Sequence, residues 1–240
     1  MLQSHHPVSS ERWQWLQQHP IIAPSLMCAD LLNLQDDVQR LEAAGADAFH
    51  VDIMDGHFVP NLALNLDILK QVRSAANIPI DVHLMVDNPE AYLEPAAAAG
   101  ADLCIFHIES TYLPMRLLRI IHSAGAAAGI ALNPATPIEA IRLLLPYLQM
   151  VMVMTVEPGF AGQKLIGFAL DKITDLAAIR REQGLDFTIG VDGAIGRDVV
   201  TEAAARGASF FVGGTSGVFL KDGTDYAAAI ELMKQAAQAR

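Results

Sequence analysis

The sequence predicts a single parallel (β/α)8 barrel, and three observations carry that expectation. Eight short apolar runs, near residues 20–25, 48–53, 79–84, 103–107, 128–132, 150–155, 187–191 and 209–213, have helical patterns between nearly all of them. Strands alternating with helices in that number form a parallel barrel. A recurring phrase, in which an Ala-rich helix ends at Gly and an apolar run follows, appears as LEAAGADAFHVD, AAAAGADLCIFH, IHSAGAAAGIALN and AAARGASFFVGG. Finally, polar residues gather where such a fold places its chemistry, at the C-terminal ends of the strands: Ser25, Asp52, His83, His107, Asn133, Thr155 and Asp192.

Each element follows from its local residues. Glycine just past a helix end adopts the left-handed conformation at little cost, so each Gly of the repeated phrase stops a helix and releases a strand. The strands are apolar runs more than strict alternations, as expected where helices cover the outside of a parallel sheet. A doubly wound open sheet is the competing topology; it is disfavoured by the strand count and by the lack of a Gly-rich dinucleotide turn after the first strand. Between the sixth and seventh strands, TVEPGFAGQKLIG is longer than a plain βα turn and reads as a lid or binding loop. Residues 1–20 precede the eight-fold pattern as a short N-terminal extension, leaving 21–240 for the barrel. Trp13, Trp15 and Leu16 in the extension suit a helix that closes the barrel floor or an oligomer contact.

Composition narrows the function. A chain of 240 residues with 52% hydrophobic content suffices for one large core. A formal net charge of −11 without a basic run argues against nucleic acid as a partner, and glycine, proline or charge interrupts every apolar stretch before it could span a bilayer. Cys28 and Cys104 are too few for a disulfide scaffold. With no secretory pattern in the first twenty residues, the expected setting is cytoplasmic.

The chemistry concentrates in four residues: His50 and Asp52 on strand two, His83 on strand three and Asp192 at the end of strand seven. Imidazoles plus carboxylates suit one divalent metal ion, zinc, manganese, iron or cobalt, with magnesium also admissible. Period two puts His50, Asp52 and Met54 on one face of their strand. Asp81 shares a face with His83 and either orients an imidazole or sits lower in the barrel, and the structural role is preferred. Asp55 and His57 are expected to shape the site by hydrogen bonds, His107 is either a satisfied core histidine or a substrate contact, and Asp47 and Asp102 read as links on the stability face. Met54, Met85 and Met154 fill core or supply a soft apolar wall at the barrel mouth. Glycine-rich turns with Gly159, Ala161 and Gly162 after strand six, Gly193 and Ala194 after strand seven, and Gly214 and Thr215 after strand eight offer backbone N–H groups to a phosphate. An acidic protein could so hold an anionic substrate without basic side chains.

APSLMCADLL, HVDIMDGHFVPN, DVHLMV, ALNPATP, VMTVEPGFAGQ and VDGAI, in that order, resemble the ribulose-phosphate 3-epimerase family from about Ile21 to the C-terminus. The resemblance implies the ribulose-phosphate-binding type of TIM barrel, a ketose phosphate as the small-molecule partner, and a homo-oligomer. It implies His50, Asp52, His83 and Asp192 as metal ligands, with Asp52 and Asp192 as the acid–base pair that inverts C3, and Ser25 as a hydroxyl near the reacting end. His83, the three methionines and the glycine-rich turns complete the expected substrate site. Ala194 stands where the familiar pattern has a second glycine, so donation from that turn depends on its backbone angles. PSLMC, VMTVEPGFAGQ and GTSGVF also resemble the allulose-6-phosphate 3-epimerase branch, which makes D-allulose 6-phosphate and D-fructose 6-phosphate the alternative to D-ribulose 5-phosphate and D-xylulose 5-phosphate. A non-catalytic phosphosugar-binding barrel is the third reading.

Overall fold

A computed structural model describes residues 11–17 and 20–239. Eight parallel strands, β1 (Ile21–Pro24), β2 (Phe49–Met54), β3 (Ile80–Met85), β4 (Leu103–His107), β5 (Ala127–Leu132), β6 (Met150–Met154), β7 (Thr188–Asp192) and β8 (Phe210–Gly213), pair in the order β1-β8-β7-β6-β5-β4-β3-β2. The outer helices are α1 (Leu34–Ala43), α2 (Leu66–Ala75), α3 (Glu90–Ala98), α4 (Pro114–Ser123), α5 (Asp171–Gln183), α6 (Arg197–Arg206) and α7 (Tyr226–Gln238). Only short 3₁₀ turns, Ile138–Ala140 and Leu145–Tyr147, stand between β5 and β6. Pro134, Pro137 and Pro146 crowd this crossover, and proline removes backbone donors that a continuous helix needs.

Alternation along the strands builds two cores. Ile22, Val51, Ile53, Val82 and Leu84 face outward and pack with the helices, whereas Ile21, Ala23, Leu103, Ile105, Met150, Met152 and Phe210 fill the lower lumen. Trp13 and Leu16, from the 3₁₀ segment Glu11–Gln17, belong to the lumen cluster. The Thr188 hydroxyl donates to the Leu16 carbonyl at 2.9 Å and fastens that segment under β7. Of the two roles expected for these residues, closure of the floor is the one observed; residues 1–10, 18 and 19 lie outside the described residues.

The barrel closes at a narrow seam. β1 and β2 meet through the parallel bridge Ser25–His50, and below it the Asp47 N–H donates to the Ile22 carbonyl at 3.1 Å. The Asp47 carboxylate in turn accepts the Ile22 N–H at 2.9 Å and is held by Lys234 of α7 at 2.8 Å. Asp102, after the second AGA turn, repeats the device by accepting the Ile80 N–H at 2.9 Å, and Gln149 does the same for the Ala128 N–H at 2.8 Å. Asp47 and Asp102 are therefore the stability-face links that their position predicts. Replacing Asp47 with Ala strands a part-buried donor at the seam and is expected to cost about 1–2 kcal/mol in denaturant unfolding, while Asp47→Asn, which keeps an acceptor oxygen, costs less.

Candidate active site

The upper lumen is polar. The register places His50 beside Asp81 and Asp52 beside His83, all four side chains pointing inward and buried. His50 Nδ1 lies 2.5 Å from Asp81 Oδ1, and its Nε2 lies 3.2 Å from Asp52 Oδ1 and 3.8 Å from Asp192 Oδ2. His83 Nδ1 lies 3.3 Å from Asp52 Oδ1 and 3.6 Å from Asp192 Oδ2. The second Asp52 oxygen accepts the Ser25 hydroxyl at 2.7 Å. Asp192, arriving from β7 across the lumen, is the most open of the set, its side chain 16% exposed.

These four residues fit a divalent cation. One ligand atom from each of His50, Asp52, His83 and Asp192 lies within 4.8 Å of the others. Donors held about 2.0–2.2 Å from a zinc-like ion stand roughly 3.3 Å apart in a tetrahedron, close to the 3.2–3.8 Å separations here. His83 Nδ1 is buried and has no hydrogen-bond partner, the condition of a lone pair waiting for a ligand. The donor chemistry suits a transition metal.

The electrostatics agree. Burial opposes charge on His50, yet the carboxylates of Asp81 and Asp52 hold its imidazole well above the ordinary histidine pKa, so the pocket favours positive charge. Asp52 is pulled far below the ordinary carboxylate range by His50 and His83 against its own desolvation. Asp192 is pushed up by burial and by Asp52, against the two imidazoles. Two carboxylates with diverging proton affinities can divide the roles of acid and base.

Above this cluster opens a cleft at the C-terminal ends of the strands. Ser25, Met54, Met85, Met154, Gly159, Gly162, Gly193, Ala194, Gly214 and Thr215 all line it with Asp52 and Asp192, while His83 is enclosed beneath. The three methionines are buried at the mouth as expected for both of their suggested roles. The β6–α5 loop supplies one wall. Asn61 donates to its Gly159 carbonyl at 2.7 Å, and a side chain on Gly159 would press on Val59 at 3.0 Å.

No lysine or arginine lines the cleft. Instead, the backbone N–H groups of Gly193, Ala194, Gly214 and Ser216 donate to no backbone acceptor among the described residues, the arrangement that binds phosphate. Gly193 has φ +104°, and a Cβ there would stand 2.4 Å from Val156. Ala194 has φ +53° and is the one non-glycine residue with positive φ among the described residues. The alanine departure thus falls at a strained position.

Other candidates separate. Asp81 sits deeper in the barrel, as preferred, and also orients an imidazole, that of His50. Asp55 accepts the backbone N–H groups of His57, Phe58 and Asp87 at 2.8–3.0 Å, tying together the loops after β2 and β3; neither it nor His57 lines the cleft. His107 is a satisfied core histidine, its ring centroid 4.9 Å from that of His83, with its partner Glu109 at 3.3 Å. Sequence reasoning missed Glu109, and the signal was available: a carboxylate two residues beyond a strand-end histidine. Cys28 also lines the cleft, its thiol pushed up to about 11 by burial and neighbouring carboxylates and so unreactive.

Residues 21–219 match the ribulose-phosphate 3 epimerase family. The chain is 41% identical over 220 residues to the ribulose-phosphate 3-epimerase of Mycobacterium bovis, covering 92% of this chain and 94% of the relative. It is 43% identical to that of Treponema pallidum, covering 81% and 89%. Among solved structures, Mycobacterium tuberculosis tryptophan synthase aligns with a TM-score of 0.67 over 96% of this chain and 98% of that one, at 14% identity. A mutant tryptophan synthase α-subunit from Pyrococcus furiosus gives 0.62 at 18% identity, over 92% and 97%. These two likenesses establish the barrel fold.

Two outcomes follow from the geometry. Ala194→Gly is expected to raise stability by up to about 1 kcal/mol in denaturant unfolding, relief of the left-handed alanine outweighing the added chain entropy. His107 is held down to about 4 by burial, despite Glu109. Its folded pKa lies below the unfolded value near 6.5, so its contribution is complete above about 6.5 and is lost as pH falls toward 4. Unfolding of the metal-free protein across that window should show the loss, with a shallower slope in His107→Gln. The chain belongs to the ribulose-phosphate 3-epimerase family.

Proposed function

We propose that the protein is a metal-dependent ketose-phosphate 3-epimerase that interconverts D-ribulose 5-phosphate and D-xylulose 5-phosphate, with Asp52 and Asp192 transferring the protons. The observation that carries the reading is the convergence of these two carboxylates, from β2 and β7, with two imidazoles beneath a cleft whose free donors are backbone N–H groups. Inversion at C3 needs proton removal on one face and delivery on the other. Carboxylates from separate strands meet that requirement, whereas a binding barrel has no use for it.

The substrate phosphate sits against the turns of Gly193–Ala194 and Gly214–Thr215, with Gly159 and Gly162 closing over it. Carbons 2 and 3 then lie above the Asp52–Asp192 pair. The C3 hydrogen is acidic because its carbanion delocalises into the C2 carbonyl as an enediolate. His50, Asp52, His83 and Asp192 would hold a divalent cation, whose positive charge would stabilise negative charge developing on the substrate oxygens. One carboxylate takes the C3 proton, the other donates to the opposite face, and the roles exchange in the reverse direction. Ser25 orients Asp52 through its hydroxyl. Met54, Met85 and Met154 exclude water from the planar intermediate. His50 is fixed by Asp81, leaving Nε2 toward the site.

The identity of the ion, among zinc, manganese, iron, cobalt and magnesium, belongs to the proposal. Reducing conditions, as in the cytoplasm, suit the free thiols of Cys28 and Cys104, and among the described residues no helix is long and apolar enough to cross a membrane. Exposed Leu32, Tyr112 and Leu143 support assembly with further copies.

Proton NMR in heavy water tests the reading. With metal-loaded protein, ribulose 5-phosphate is expected to lose its C3 proton signal as xylulose 5-phosphate appears, faster than allulose 6-phosphate exchanges. Faster turnover of the hexulose would move the substrate to the longer sugar, and exchange on neither would remove the epimerase reading. Asp52→Asn and Asp192→Asn should each lower kcat by at least about 10²–10⁴-fold while far-UV circular dichroism is unchanged.

A further inference from the structure

Beside the candidate metal cluster a line of side chains runs from β3 past the end of β4 to the loop after β5. His83 Nε2 lies 2.8 Å from His107 Nε2, with the ring planes 24° from parallel and the centroids 4.9 Å apart, about the spacing of two imidazoles joined end to end by an N–H···N bond. His107 Nδ1 lies 3.3 Å from Glu109 Oε2. The other Glu109 oxygen already accepts the Asn133 N–H at 2.8 Å and the Thr136 hydroxyl. The carboxylate is thus clamped from the far side, with Oε2 left for the imidazole.

Hydrogen-bond logic gives this line a direction. Two N–H groups cannot point at each other, so a single proton lies between the two Nε2 atoms. An ionised carboxylate only accepts, which places the His107 proton on Nδ1 and leaves His107 Nε2 as an acceptor. His83 must then carry a proton on Nε2, freeing the Nδ1 lone pair. That same Nδ1 faces Asp52 and Asp192 without a hydrogen-bond partner.

We propose that Glu109 is a positioning residue that, through His107, fixes the His83 tautomer with its Nδ1 lone pair directed at the metal site. It deepens the metal-dependent reading and rests on it. Glu109 never touches the ion or the sugar. Partners of ligating imidazoles fix their tautomer and orientation, and losing one commonly costs about 10–100-fold in metal affinity.

Glu109→Gln reverses the line with little change in shape. The amide oxygen stays with the Asn133 N–H and the Thr136 hydroxyl, because turning the amide would set donor against donor. The amide NH2 then faces His107 Nδ1, the His107 proton moves to Nε2, and that N–H now points at His83 Nε2. His83 must carry its proton on Nδ1, where the ion would bind.

The test uses the full chain stripped of metal, with zinc affinity read by chelator competition and tautomers by long-range ¹⁵N–¹H NMR of labelled histidines. Expected are a His107 proton on Nδ1 in the wild type and on Nε2 in Glu109→Gln, zinc binding about 10–100-fold weaker in the variant, and near-wild-type affinity in Thr136→Val, which keeps the carboxylate. A lost structural contact would lower stability without moving the His107 proton. Wild-type His107 protonated on Nε2 would overturn the proposal even if the variant failed to fold, as would equal zinc affinity in wild type and Glu109→Gln. A wild type that binds zinc at none of these residues would instead remove the metal-dependent reading beneath it.

Discussion

The demand of buried carboxylates for positive charge organises the upper half of this barrel. Asp52, Asp81 and Asp192 are gathered in one lumen, two of them almost wholly removed from water. An isolated buried carboxylate would take up a proton before remaining charged there. The two imidazoles at 2.5–3.8 Å meet part of that demand, and the carboxylates of Asp81 and Asp52 in turn hold the His50 pKa well above its ordinary value. The remaining demand is what a divalent cation satisfies, and the separations among the four donors already match one. Breaking such a set by removing one partner leaves charge uncompensated, a larger loss than the net value of any single pair.

That charged layer exists because the lower lumen is closed against water. Trp13, Leu16 and Phe210, with Met150 and Met152 of β6, form an apolar plug beneath the site, and the β1–β2 seam is completed by the Asp47 side chain where strand pairing is thin. The plug and seam fix the register of β2 against β3, which brings His50 to Asp81 and His83 to Asp52. Because strand side chains alternate with period two, a slip of β2 by one residue would turn His50 and Asp52 outward into the helices. Chemistry and stability are therefore separated along the barrel axis and joined by register.

Much of this is legible in the sequence, for physical reasons that can be named. Each strand lies within one or two residues of its expected position because Gly45, Gly100, Gly125 and Gly207 all take positive φ after their helices, a requirement that glycine advertises. His50, Asp52, His83 and Asp192 are visible because charged residues inside apolar runs need a partner. Contacts made across strands are less legible. Sequence spacing ties Asp81 to its neighbour His83, yet it serves His50 on the adjacent strand, a pairing set by register. Glu109 carries only a faint signal, its place two residues beyond a strand-end histidine, because in a 3₁₀ turn after β4 a carboxylate looks like ordinary loop polarity until the rings of His107 and His83 are seen to connect it inward.

An acidic protein with a net charge of −11 repels an anionic substrate at long range, and a lysine in the cleft would be the simple remedy. This cleft uses none. Beside Asp52 and Asp192, a mobile ammonium group would compete with the cation for the same carboxylates and weaken both of their roles. Backbone N–H dipoles do not compete, since they cannot reach across the cleft or exchange ions with it, and their positions are fixed by the strand ends. Their cost is conformational: the turn after β7 must adopt positive φ at two successive residues, Gly193 and Ala194. Retaining alanine at the second of these stores strain in the wall of the cleft. In the proposed reading, dividing the work between fixed backbone dipoles for the phosphate and ionisable side chains for the reacting carbons would keep the two ends of the substrate from sharing one electrostatic device.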